Sequence, residues 1–318
     1  MAVIENSKLT VIGAGAVGAS VALSALVRGS AREVALYDID RKKAEAEVLD
    51  LAHGTLFAGS STIVGGDDLD VVTGSNMVII TAGAKQKPGQ TRLDLAGANI
   101  AIMKSLMPQL LDRAPDAVYM LVTNPCDVLT VAAQKITGLP SSRVFSSGTV
   151  LDSSRLRWLI AQRADVASSS VHAMIVGEHG DSEFPLWSHA TIGPVPIRDW
   201  AAAQSTVKPE LGDFDAIADE VRTAAYTIIE GKGATNHAIG LSAARIAEAV
   251  LHDQRAVLPV SSVLDDYLGE SGVALSVPSI VDSSGVADVL RIPFDDDEAA
   301  KFAASAQVIR DSLQTLGI

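Results

Sequence analysis

The stretch "KLTVIGAGAVGASVALSALVRG", residues 8–29, limits this chain more than any other part of it. An apolar run enters three glycines, Gly13, Gly15 and Gly18, in GxGxxG spacing, and an amphipathic run ending near Gly29 leaves them. A strand that turns directly into a helix leaves the helix's first N–H groups, and their partial positive charge, facing whatever lies over the turn. The glycines permit the tight turn and the close approach of a pyrophosphate. Asp38 stands twenty residues past Gly18, at the end of the next apolar run, "EVALYDID". A carboxylate there accepts hydrogen bonds from both ribose hydroxyls and repels a 2′-phosphate, which favours NAD over NADP. The competing reading, a glycine turn with no ligand, is disfavoured by the strand, the helix and the spaced acid together. Lys43 on the following helix is either a phosphate contact or an ordinary solvated lysine.

The pattern that begins there continues. "NMVIITAG" and "AVYMLVTNP" read as buried strands, and "NIAIMKSLMPQLLDRA" and "CDVLTVAAQKITG" as the helices between and after them. Short apolar runs alternating with helices of this length predict βαβ units and a parallel sheet. After "RVFSSGTV" the pattern changes: a helix, a strand breaking at glycines in "SSVHAMIVGEHGD", a helical region over about 211–250, antiparallel strands in "RAVLPVSSVL" and "GVALSVPSIVD", and a final helix with acids in its first turn. The expectation is a Rossmann-type α/β domain over residues 1–149 and an α+β substrate domain over 150–318.

Bulk properties narrow the partners. A net charge of −13 disfavours nucleic acid, whose phosphates such a surface repels. No apolar run approaches the ~20 residues that span a bilayer, and the N-terminus lacks a signal-peptide pattern. The single cysteine, Cys126, rules out an intrachain disulfide and fits a reducing, cytoplasmic setting.

The second half carries the chemical candidates. His179 stands between glycines in "GEHGDSE", and an imidazole titrating near neutrality suits the proton that accompanies hydride transfer between an alcohol and a ketone. Asp152, in "VLDSSRLR", would orient that ring and favour imidazolium if it lies beside it. Arg155, three residues on, shares its helical face and can grip a carboxylate with two parallel hydrogen bonds; a surface ion pair between the two is the alternative. In "TAGAKQKPGQTR" the pair Pro88–Gly89 suits a closing loop, and Arg92 could polarise a substrate carbonyl. Asn124 follows a parallel strand, where α/β sites gather.

Together "VIGAGAVG", "DID", "TAGAKQKPGQTRLDL", "VTNPCDVLT", "GTVLDSSRLR", "GEHGDSE" and "IIEGKGAT", in that order along nearly the whole chain, resemble the L-lactate/L-malate dehydrogenase family, most closely its bacterial lactate branch. The resemblance implies interconversion of pyruvate and L-lactate with NAD, His179 as acid/base, Asp152 as its partner, Arg155 as carboxylate clamp, Arg92 on the lid, and Asn124 and Thr235 in the substrate pocket. For Thr235 a plain helix-start hydroxyl is as good a reading. Cofactor contacts are implied at Gly13, Gly15, Val17, Gly18, Asp38, Lys43, Gly83, Ala84, Val122, Asn124 and Ser147, with no metal, and a cis bond is expected before Pro125. A homo-oligomer, with a tetramer foremost, is implied too, without the exchanged N-terminal arm of the animal enzymes. Malate enzymes of the family carry an arginine where Gln86 stands, so this uncharged residue favours pyruvate over oxaloacetate. A binding module that kept the nucleotide fold and lost catalysis is the rival of another class.

Arg157 falls about 200° around the helix from Arg155, and His172 is an odd number of residues from His179. If each segment is regular, both point away from the chemistry, toward a second location. The resemblance implies fructose bisphosphate there, as an activator bound between subunits.

Overall fold

The computed structural model describes residues 4–84, 92–204 and 210–318, with only the main chain of Arg92. The first half runs β1 (Lys8–Ile12), α1 (Ala16–Arg28), β2 (Glu33–Tyr37), α2 (Arg41–Gly54), β3 (Thr62–Gly66), β4 (Met77–Ile80), α3 (Arg92–Arg113), β5 (Val118–Leu121), α4 (Cys126–Thr137) and β6 (Val144–Ser146). Helix α5 (Val150–Ala164) opens the second half. Short strands follow: β7 (Val171–His172), β8 (Ile175–Val176), β9 (Phe184–Pro185), β10 (Thr191–Ile192) and β11 (Val195–Pro196). Then come α6 (Trp200–Ala203), α7 (Phe214–Lys232), α8 (His237–Leu251), strands β12 (Ala256–Leu258), β13 (Ser261–Val263), β14 (Ala274–Ser276), β15 (Ser279–Asp282) and β16 (Gly285–Val289), and helix α9 (Asp296–Leu316).

Among the described residues the main sheet has eight strands in the order β14-β13-β6-β5-β4-β1-β2-β3. Strands β3 to β6 in that order are parallel, and β13 and β14 join antiparallel beyond β6. Strand order reverses between β1 and β4, which opens a crevice at their carboxyl ends. The sequences of β4 (MVII) and β5 (VYML) are apolar throughout because both faces are covered and every residue of each is buried. On one face Met103, Met107, Leu129, Phe302 and Ile309 pack from α3, α4 and α9. On the other, Val21 and Ala25 of α1 meet Ala243 and Ala247 of α8. A third core, around Leu156, Ile160, Trp187, Ile217 and Val221, joins α5 to α7.

Three expectations are corrected. The helical region of 211–250 is two helices, broken where Gly233 takes φ 84° at the end of α7. "RAVLPVSSVL" and "GVALSVPSIVD" are not one strand each. Each is cut by a proline, Pro259 or Pro278, and its two pieces enter different sheets: β12 pairs with β15, and β13 with β14. Proline has no N–H for a ladder, so the chain changes sheets there. Finally, "SSVHAMIVGEHGD" is no single strand. It holds β7 and β8 in separate sheets and bends at Gly177, φ 91°. Elsewhere the chain follows the expected stops. Gly29 caps α1 in the left-handed region, and Asp295 and Glu298 close a capping box on α9.

Candidate active site

The nucleotide end is built on the turn after β1. Gly13 adopts φ 104°, which a side chain rarely tolerates. A Cβ on Gly18 would fall 1.7 Å from the Gly13 carbonyl oxygen, so α1 packs against the turn only because residue 18 is glycine. Asp38 ties this turn to the next unit. Its Oδ2 accepts the Ala14 N–H at 2.8 Å and the Lys43 ammonium at 3.3 Å, and its Oδ1 accepts the Asp40 N–H at 3.0 Å. Partial burial pushes this carboxyl up, but the two backbone donors and Lys43 outweigh it and hold it below the usual aspartate range. Asp38 is therefore a fixed carboxylate at the tip of β2. Lys43 is exposed, and its Nζ lies 3.9 Å from where a Cβ on Gly15 would be, beside the turn.

Across the crevice, Asn99 of α3 accepts the Ala84 N–H at 2.7 Å and donates to the Asn124 carbonyl at 2.8 Å. The fully buried Asn99 thus fixes the chain after β4 to the chain after β5. Gly83 is exposed, Val122 half-buried and Ser147 buried, each just past the end of its strand. All the residues expected to touch a dinucleotide lie along this edge, with Val17 on the first turn of α1. They fit the group chemically: free helix-start N–H groups with no Cβ over them, and an ionised acid one strand away. Sequence reasoning passed over Ile39, 86% exposed beside Asp38, an apolar surface at the same edge.

The chemical end centres on Asp152, in the first turn of α5 and 1% exposed. Its two oxygens are divided between two cations. Oδ2 lies 2.7 Å from His179 Nδ1, and Oδ1 accepts from Arg155 Nη1 at 2.5 Å. Burial raises the Asp152 carboxyl, but His179 and Arg155 outweigh that and keep it ionised. Burial alone would lower His179; the charge and hydrogen bond of Asp152 reverse this and push the imidazole up to about 9. The Asp152–Arg155 pair is thus no surface ion pair, since Arg155 is itself only 15% exposed. The loop bearing His179 is held by Asp127 of α4, whose Oδ2 accepts the His179 N–H at 2.7 Å. It is held also by Ser305 of α9, whose Oγ accepts the Glu178 N–H at 2.7 Å. Asn124 precedes the cis bond to Pro125, and its Oδ1 accepts the Cys126 N–H at 3.4 Å, which leaves its amide nitrogen to donate outward.

The lactate/malate dehydrogenase NAD-binding domain matches residues 7–146, and the lactate/malate dehydrogenase alpha/beta C-terminal domain matches residues 149–316. The chain belongs to the lactate/malate dehydrogenase family. It is similar to an L-lactate dehydrogenase of Bifidobacterium animalis subsp. lactis, 51% identical over 314 residues, 99% of this chain and 98% of that one. It is similar also to an L-lactate dehydrogenase of Thermoanaerobacter sp., 43% identical over 98% of this chain and all of that one. Among solved structures, the minor L-lactate dehydrogenase of Enterococcus mundtii in its ligands-bound form superposes with a TM-score of 0.92 at 38% identity, covering 98% of each chain. This lactate/malate dehydrogenase is accordingly an NAD-dependent enzyme, as its glycine turn and Asp38 required.

The remaining candidates of this family member fall at different distances from the chemistry. Thr235 is half-buried in the break between α7 and α8; Asn236, not Thr235, is the residue at the helix start. Gln86 lies outside the described residues, as do Lys85 and Lys87, and the side chain of Arg92 is not described. Arg157 places its Nη2 3.5 Å from the Ser168 carbonyl, and His172 is exposed on β7, whereas His179 lies in the loop between β8 and β9. Strand alternation does not relate His172 to His179, because the chain between them passes from β7 to β8 in a different sheet and then bends at Gly177, φ 91°. Two buried acids near His179, Asp127 and Glu183, were missed. Asp127 had a signal: a charge in the first turn of the otherwise apolar "CDVLTVAA". Glu183 had none beyond its motif.

Proposed function

We propose that the protein is an L-lactate dehydrogenase, interconverting pyruvate and L-lactate, with His179 as acid/base. The observation that carries this is the single buried carboxylate of Asp152 shared between His179 and Arg155. It fixes an imidazole and a guanidinium side by side, one to handle a proton and one to hold an anion. The nicotinamide of NADH, bound along the crevice from Gly13 to Ser147, supplies the hydride.

Arg155 spends one N–H on Asp152 and keeps others for the substrate carboxylate. Asp152 accepts the proton on Nδ1 of His179, so the proton given to the developing alkoxide leaves from Nε2. In the lactate-oxidising direction neutral Nε2 takes it back. Asn124 donates its amide toward the substrate oxygen, Arg92 polarises the carbonyl, and Thr235 lines the pocket near the methyl group. The choice of pyruvate rests on Gln86. A second substrate carboxylate buried without a positive partner costs several kcal/mol, and an uncharged amide gives it none. The similar proteins are L-lactate dehydrogenases, which supports this choice.

Two further readings belong to the same proposal. Arg157 and His172 are the candidate contacts for fructose bisphosphate as an activator. Leu49, Leu56 and Phe57, 58%, 85% and 87% exposed on and just after α2, support a homo-oligomer, with a tetramer foremost. A cytoplasmic location fits Cys126, which is free and buried; among the described residues no helix is long and apolar enough to cross a membrane. The deciding assay is NADH oxidation with pyruvate and with oxaloacetate. Faster turnover of pyruvate is expected, and equal or faster turnover of oxaloacetate would overturn the assignment.

A further inference from the structure

Asp127 and Glu183 are both buried beside His179, but only Asp127 has a bond that explains its place. Glu183 is 5% exposed, and its carboxyl makes no hydrogen bond to any described residue. Its Oε2 lies 3.9 Å from His179 Nδ1, the same ring nitrogen that Asp152 engages. Asp152, His179 and Glu183 each present an atom within 4.8 Å of the others. The backbone puts Glu183 there deliberately. Its N–H returns to the Gly180 carbonyl at 3.3 Å, folding the loop back under the ring, and β9, which starts at the next residue, locks the turn against β8.

An acid in that position is costly to bury and makes no local repayment in hydrogen bonds. We propose that Glu183 is a positioning residue for the proton transfer, a second carboxyl that holds His179 in its protonated form from the Nδ1 edge as the pH rises. The groups that face this pocket come from several elements: Asp152 and Arg155 from α5, Asp127 from α4, and Arg222 from α7. Arg222 is paired through Nη1 with Asp219 at 2.6 Å on the same helix, and its buried Nε has no partner among the described residues, so α7 closes no ion pair on Glu183. Burial, then the nearby Asp152 carboxylate, push Glu183 up to about 8. Near neutrality it is therefore a neutral acid, and the carboxylate of Asp152 serves both Arg155 and the imidazolium of His179. Above that range Glu183 releases its proton to solvent. The new carboxylate then adds to Asp152 in stabilising imidazolium, in the pH interval where His179 would otherwise lose its charge.

The inference rests on the reading of His179 as acid/base, and the experiment separates the two. kcat/KM for pyruvate is measured against pH in wild type, Glu183→Gln, Glu183→Asp and His179→Asn, with NADH binding measured in each. In E183Q the alkaline midpoint should fall by at least about half a pH unit, roughly threefold in the protonated fraction on that limb. E183D should restore part of the shift. An alkaline midpoint identical in E183Q and wild type overturns the role of Glu183. Turnover that persists in H179N overturns the reading beneath it instead. Infrared difference spectra of the wild-type enzyme give a second test that needs no variant to fold. A protonated buried carboxyl should absorb at neutral pH and vanish in alkali, and its absence at neutral pH overturns the proposal.

Discussion

Asp152→Asn is the substitution whose effect the structure fixes most closely. The carboxylate serves two cations with two oxygens, and an asparagine has one oxygen and one NH2. Whichever way the amide turns, either His179 or Arg155 faces a donor. If the NH2 meets Nδ1, that nitrogen must be an acceptor and the ring must be neutral. The size of the loss follows from the shift. His179 is held at about 9 against an ordinary value of 6.5, chiefly by Asp152 opposing burial. That difference corresponds to about 3 kcal/mol of preference for imidazolium. If the substitution returns His179 to its ordinary value, the protonated fraction at pH 7 drops from about 99% to about 24%, and at pH 8 from about 91% to about 3%. Protonation alone thus costs roughly fourfold at pH 7 and roughly thirtyfold at pH 8, before any loss of ring orientation. The assay is kcat/KM for pyruvate across this range in wild type and D152N, with NADH affinity as the control for folding. The ratio between them should widen as pH rises from neutrality through the wild-type value and then level off. A ratio that stays constant would refute the link between Asp152 and the His179 proton.

Other expectations test other parts. Gly18→Ala places a methyl group 1.7 Å from a main-chain carbonyl that cannot rotate away; about 1–3 kcal/mol of stability and most NADH affinity should be lost, read by Tm and by titration, and an unchanged Tm would contradict the packing described. Gln86→Arg should raise oxaloacetate turnover and depress that of pyruvate; no change in the ratio would mean that residue 86 does not face the substrate. Fructose bisphosphate should raise the rate at low pyruvate, and Arg157→Gln should abolish the rise. A flat response in wild type would remove the effector site from the proposal.

Much of this was legible in the linear sequence because the deciding features are local. The glycine turn, Asp38 and the apolar strands of the parallel sheet each announce themselves within a few residues, since a strand buried on both faces has no polar side to confuse the pattern. Asp152 and Arg155 share a face at i,i+3, so their pairing was readable too. What failed was whatever depends on distant partners. β3, "TIVGG", lies at the sheet edge with a half-polar pattern and was passed over. Pro259 and Pro278 move strands between sheets, and nothing in either run says which sheet receives which half. The position of Glu183 is set by the hairpin of β8 and β9, and that of Asp127 beside His179 is set by the docking of α4. Neither placement follows from periodicity: Glu183 looks like a surface residue until its hairpin folds, and the apolar run around Asp127 marks it as buried without saying what it meets.

The strands that change sheets at Pro259 and Pro278 bear on how separable the two halves are. β13 pairs with β6 through Ser146 and Phe145, and α8 covers α1 on the outer face of the same sheet. A chain ended at residue 149 would keep every residue of the glycine turn and still leave β6 as an open edge, with Val21, Val34 and Met120 uncapped on one side. Such an edge recruits other strands, and such a face recruits other apolar surfaces. The nucleotide-binding half is therefore not a cassette that can be lifted out or exchanged at residue 149. A working chimera would have to bring its own α8, β13 and β14 with it.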